Sequence, residues 1–397
     1  MQKVFLYLNL ALMFFPAFSL SYIFIGIYFQ SRILGLPLLA FYIINKDIEI
    51  RKSLIFLIFP FLISIIVPIL GLVSDRNFSL IDIGYILSFL YLILFAQSMY
   101  KNIKLFINFI KIFTVANLVY GIIQTFLANI GLNRLTMIHS NLPSQSISEY
   151  SIPPSILPYT YRFSGLFNES SPLIFYLCSS YVFLSQINSN KKSIFINVIQ
   201  IITIIAIAIS GSKFSYAFFI VVAVNKLISL LKLSQNINNA IKIFLVALTA
   251  YFFIAFYNDA IIYLGQNLPA FAERSTNIQN SISSIFEFDV FGQGFLPSST
   301  GEAEGLDAIT ILVRGYGLFS GIIVLTCFLL NIMFANLKDK DIFISIYILG
   351  LLSNGSFMIV QYTIFFTMIY IIDNQNRCDM VSHKIYDYEQ IKLNKIN

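Results

Sequence analysis

Apolar residues fall in long blocks along this chain, at 4–22, 33–45, 53–73, 81–100, 105–129, 164–186, 193–210, 214–231, 238–257, 309–334 and 342–372. No block shows the two-residue alternation of a barrel strand. A helix of about 20 apolar residues crosses the hydrocarbon of a bilayer. A backbone in hydrocarbon must satisfy its own hydrogen bonds, which a helix does. The last block is too long for one helix at ~1.5 Å per residue, and "SNGS" at 353–356 offers a break. The pattern predicts an all-α fold, a polytopic transmembrane helical bundle of about twelve spans. Residues 1–397 form a single integral membrane domain on this reading.

Composition agrees. The chain is 58% hydrophobic and 11% charged, with a mean hydropathy of +0.81, against about 25% charged for a soluble domain. The net charge of +6 does not point to nucleic acid, because the lysines lie between spans, as in loops held on the cytoplasmic side. The connections bearing Lys46, Arg51 and Lys52, then Lys101 and Lys104, Lys191 and Lys192, Lys226, Lys232 and Lys242, and Lys338 and Lys340 are thereby cytoplasmic. So is a tail over 373–397, and both termini come out cytoplasmic. The N-terminal run after Lys3 has the look of a signal peptide, but no small-residue cleavage site closes it, and it reads as a retained span. With no Trp in the chain, its 23 Tyr must supply the interfacial aromatic belt.

Two long connections are left on the outer side, 130–163 and 258–308. Long loops on one face of a polytopic protein suggest a work surface there. The first carries "IPPSILP", which its prolines hold extended. The second carries "FAERSTNIQNSISSIFEF", read as an amphipathic helix from the spacing of Ile278, Ile282, Ile285 and Phe286.

The cations sort by type across this topology. Arg32, Arg76, Arg134, Arg162, Arg274 and Arg314 are outer, with Lys213 the sole outer lysine. A guanidinium fork suits bidentate contact with phosphate or carboxylate. Any single one of these arginines is as readily a membrane anchor or a partner of Asp75, Glu149, Glu169 or Glu273; the set is harder to explain that way. In "RFSGLFNESSP", Arg162 and Gly165 precede a span whose N-terminal end favours an anion, whereas Glu169 and Pro172 are ordinary first-turn residues. "ISGSKFSY" puts Lys213 in a turn of small residues that is either an anion nest or a tight hairpin. "FGQGF" at 291–295 is a close-approach turn. Glu302, Glu304 and Asp307 stand before the next span and offer a general base for a sugar hydroxyl; a solvated acidic loop accounts for any one of them as well. "GLFSG" at 317–321 has the small-xxx-small spacing of helix packing.

Other chemistries are not signalled. The chain has no HExxH, GxxxxGK[ST], CxxC or complete GxGxxG. Cys178, Cys327, Cys378, His139 and His383 lack the spacing of a metal site, and no cofactor is implied. Nor do the spans hold the series of carboxylates common in ion-coupled transporters; their polar residues are amides such as Asn117, Gln124 and Gln361.

Four of these segments, in this order, resemble the O-antigen polymerase and O-antigen ligase superfamily of bacterial inner-membrane proteins. "RFSGLFNESSP" is similar to the family's arginine-glycine entry into a span, and "ISGSKFSY" to its short serine-rich basic turn. "ERSTNIQNSISSIFEFDVFGQGF" is similar to its outer-loop stretch from an arginine to a phenylalanine-glycine pair. "ITILVRGYGLFSGIIVLTCFLL" is similar to its following span, and the four together cover about 160–334. The resemblance implies a metal-independent glycosyltransferase, most similar to the polymerases, working at the periplasmic side of the bacterial inner membrane. It would join repeat units of an undecaprenyl-pyrophosphate-linked oligosaccharide, among membrane lipids and alongside a chain-length-regulating copolymerase. Arg162, Lys213, Arg274 and Arg314 would then bind the pyrophosphate, with Glu302, Glu304 or Asp307 as the base. The two outer connections would be periplasmic loops. Ligases carry a histidine just before the span that begins here near 309; this chain has "GEAEGLD" there, which disfavours ligation. A flippase or other transporter is the alternative from another class, weakened by the lack of an internal repeat.

Overall fold

The computed structural model describes residues 4, 6–10, 35–44, 52–74, 78, 80–129, 170–188, 193–209, 215, 218–223, 290–292, 294, 308–353 and 362–377. Every regular element among them is helical. In chain order the longer helices are α1 (Leu36–Ile44), α2 (Lys52–Gly71), α3 (Leu80–Tyr100), α4 (Ile103–Asn129), α5 (Ser170–Asn188) and α6 (Ile194–Ile209). Then follow α7 (Ala308–Tyr316), α8 (Leu318–Phe334), α9 (Lys340–Ser353) and α10 over 362–377. Among the described residues three stretches are long and apolar enough to cross a membrane, Leu54–Gly71, Asp82–Tyr100 and Ile103–Gln124, and they mark the chain as a membrane protein. Shorter apolar stretches fill α5, α6 and α8. The block at 238–257, the tail beyond 377 and nearly all of both long connections lie outside the described residues.

α10 is the axis of the packing. Every residue from 362 to 374 is buried, on all sides of the helix. Its rings reach four neighbours: Phe366 packs 4.6 Å from Phe328 of α8 and 5.9 Å from Tyr347 of α9, between ring centroids. Tyr362 lies 4.9 Å from Phe175 of α5, and Tyr370 stands edge-on to Tyr100 of α3 at 5.7 Å. Gly350 of α9 has no room for a side chain, since a Cβ there would sit 2.5 Å from the Phe175 ring. Polar side chains inside this layer turn back on their own helices: Thr367 donates to the Thr363 carbonyl, Ser179 to Phe175 and Asn117 to Phe113. The Asn117 amide, notable in the sequence, thus serves its own backbone.

The ring contacts also order the ends. Phe56 at the start of α2 stacks on Phe334 at the end of α8, and Phe106 at the start of α4 meets Phe183 near the end of α5. Lys101, Lys104, Lys338 and Lys340 therefore share one end of the bundle. There the α8–α9 turn is held by a polar clasp. The buried Asp373 carboxylate accepts from the Asn336 N–H and from Arg377 Nε, each at 2.7 Å. Asn376 donates to the Asn336 carbonyl at 2.6 Å, Arg377 to Phe334 at 3.2 Å, and Lys340 to Met333 at 2.7 Å. Gln186 of α5 donates to the Lys338 carbonyl. Cations over the last carbonyls of α8 also suit its dipole.

Two boundaries differ from the sequence reading. The apolar block 309–334 is not one helix but α7 and α8, broken at Gly317, whose φ of 84° an L side chain rarely adopts. Asp373 does not open a tail: α10 continues through it to 377, because its carboxylate is bonded inside the bundle. Asp373→Ala should lower resistance to unfolding in detergent by about 2–3 kcal/mol, the loss of hydrogen bonds to a charged acceptor. Asp373→Asn, which keeps an acceptor oxygen, should fall between, in SDS titrations of the purified chain.

Candidate functional site

The opposite end of the bundle holds the glycine-rich segments. α7 ends with Arg314, Gly315 and Tyr316, and α8 begins after Gly317. The two helices are close along their backbones: a Cβ on Gly321 would lie 2.8 Å from Cα of Val313 and 3.0 Å from the Leu312 carbonyl. "GLFSG" is thus a packing device, folding α8's first turn against α7.

The turn at 290–294 is seated on this break. Gly292 and Gly294 have φ of 70° and 83°. A Cβ on Gly292 would fall 2.4 Å from the Gly317 nitrogen and 2.6 Å from the carbonyl oxygens of Arg314 and Gly315. Backbone touches backbone there, which only glycine permits. Phe291 is half-buried against the core beside it. Behind the seat Tyr316 is fully buried, its ring edge-on to Tyr85 of α3 at 6.0 Å. One turn earlier on α3, Asp82 is also fully buried.

Chemically this end offers donors. Arg314 is partly exposed; its Nε is buried and has no hydrogen-bond partner among the described residues. A cation in the last turn of α7 complements that helix's dipole, and the same fork can present N–H groups to an anion. α8 starts without a side-chain cap, so its first N–H groups look toward the same break. No group of three or more His, Cys, Asp or Glu fit for a metal occurs among the described residues.

Of the sequence-derived candidates, Arg314 is placed, at the glycine seat. Arg162, Lys213, Arg274, Glu302, Glu304 and Asp307 lie outside the described residues, and nothing here brings them together. α5 is described from Ser170, with Pro172 as its third residue, a position that tolerates the missing N–H. Asp82 and Tyr316 were not singled out from the sequence. A lone carboxylate in the apolar block 81–100 was the available signal; Tyr316 had none, being one of many aromatics.

Gly292→Ala should unseat the turn: the strained φ costs about 1–2 kcal/mol and the overlap about 1–3 more. Hydrogen exchange should accelerate in peptides covering 290–294 and 314–318 together; acceleration in the first alone would show that the two segments are not coupled. No protein-family model matches the chain, and no curated protein or solved structure matches it either.

Proposed function

We propose that the chain is an O-antigen polymerase of the bacterial inner membrane, a metal-independent glycosyltransferase joining undecaprenyl-pyrophosphate-linked repeat units on the periplasmic side. An acceptor hydroxyl oxygen attacks the anomeric carbon of the reducing-end sugar of the growing chain. The bond from that carbon to the pyrophosphate oxygen breaks, and its electron pair leaves with undecaprenyl pyrophosphate. The hydroxyl proton passes to a carboxylate, for which Glu302, Glu304 and Asp307 are the candidates. Arg162, Lys213, Arg274 and Arg314 stabilise the charge that develops on the leaving group, the electrostatic task from which enzymes gain most.

Two things support this reading. The four segments of the resemblance occur in order over 160–334. The observation that carries it furthest is the seat: the phenylalanine-glycine turn that ends the third segment lies on the arginine-glycine break of the fourth. The third and fourth segments of the resemblance thus meet beside a guanidinium, at the bundle end away from the clustered lysines.

The test is the lipopolysaccharide ladder in a strain deleted for this chain. Complementation with wild type should restore the ladder. Arg274→Ala and Arg314→Ala should leave mainly the single-repeat band, with polymerisation slowed about 10²–10³-fold if each donor acts on the leaving group. Core alone, with polymer accumulating on the lipid carrier, would instead identify a ligase. Repeat units trapped on the cytoplasmic leaflet would identify a flippase, and an intact ladder in the deleted strain would rule out all three.

A further inference from the structure

α4 has one outward face, and its chemistry changes along its length. Lys104 and Asn108 are exposed and Lys111 is half-buried, at i, i+4 and i+7 on a single stripe. The stripe continues through Val115, Val119, Ile122 and Phe126, with Ile112 beside it. Ile112 is 64% exposed and Phe126 63%, although α4's other side is closed against α5 by Phe106, Phe113 and Thr114. The helix therefore presents two turns of cation and amide followed by four turns of bare hydrocarbon.

The depth of Lys111 needs a counter-charge. At ~1.5 Å per residue it lies about 10 Å further along the helix than Lys104. Ile112 to Phe126 covers only about 21 Å, less than the ~30 Å of hydrocarbon. The membrane surface must therefore dip to Lys111, or an anion must rise to meet it. α4 itself contains no Asp or Glu. A phospholipid supplies both halves of the match, an anionic phosphate for two ammonium groups and an acyl chain for the apolar stripe.

We propose that α4 binds one anionic phospholipid on this face. Its phosphate sits between Lys104 and Lys111, with the Asn108 amide donating, and an acyl chain lies along Val115 to Phe126. This site is at the lysine-bearing end and is independent of the polymerase reading.

Native mass spectrometry of the full-length chain, loaded with equal phosphatidylglycerol and phosphatidylcholine, should show preferential retention of phosphatidylglycerol. A lysine near a membrane surface is worth about fivefold in binding, so Lys104→Gln with Lys111→Gln should reduce that preference about thirtyfold. Lys338→Gln, at the same end, should leave it unchanged. An unchanged preference in the double variant, or an equal fall in Lys338→Gln, would overturn the site. Independently, a nitroxide on Val119→Cys in phosphatidylglycerol nanodiscs should be readily relaxed by lipid-dissolved oxygen. Shielding from oxygen would mean that another part of the chain, not lipid, covers the face, and the proposal would fail even if the lysine variants did not fold.

Discussion

Inside a bilayer, nothing drives an apolar helix out of its surroundings, because lipid tails are as apolar as leucine. A helix buried on every side, as α10 is from 362 to 374, must therefore be held by shape and by polar ties. Both are present. Rings from four other helices close on Tyr362, Phe366 and Tyr370, and Asp373 fastens the far end to the α8–α9 turn. With α10 fixed, α8, α9, α5 and α3 have a common surface to pack on. The glycine break between α7 and α8 is then held at a defined place beside α3.

Much of this frame was legible from the hydrophobic blocks. The stretches 53–73, 81–100 and 105–129 became α2, α3 and α4 nearly at their ends, because each is bounded by charged or polar residues. The "SNGS" break expected inside 342–372 lies almost wholly outside the described residues, which give α9 up to Ser353 and α10 from 362. The division of 309–334 was not legible, since hydropathy is continuous across Gly317 and the kink lives in one backbone torsion. Nor could composition say which span is central. α10's distinction is that even its threonines and Asp373 are enclosed, which depends on neighbours more than 150 residues away in the case of Phe175.

The candidate chemistry was legible in a different way. Residue type and side of the membrane selected the outer arginines and acids, and glycine spacing selected the "FGQGF" turn. What spacing could not give was the meeting of that turn with Arg314 through contacts between backbone atoms. Gly292 reads in the sequence as freedom; in the fold it is tightness, a place where the absence of a side chain lets two segments touch.

That contact has a consequence for chain length. Because Gly292 rests on the Gly317 nitrogen and on the carbonyls of Arg314 and Gly315, the contact closes the chain between them into a ring. Lengthening such a ring costs little, about 0.6 kcal/mol for each doubling, so its size is free to diverge. A single residue inserted at 293 would instead displace one glycine from the other and part the ring at that contact. Variation among chains built this way should thus collect between the seat and α7, with the spacing of the two glycines held constant.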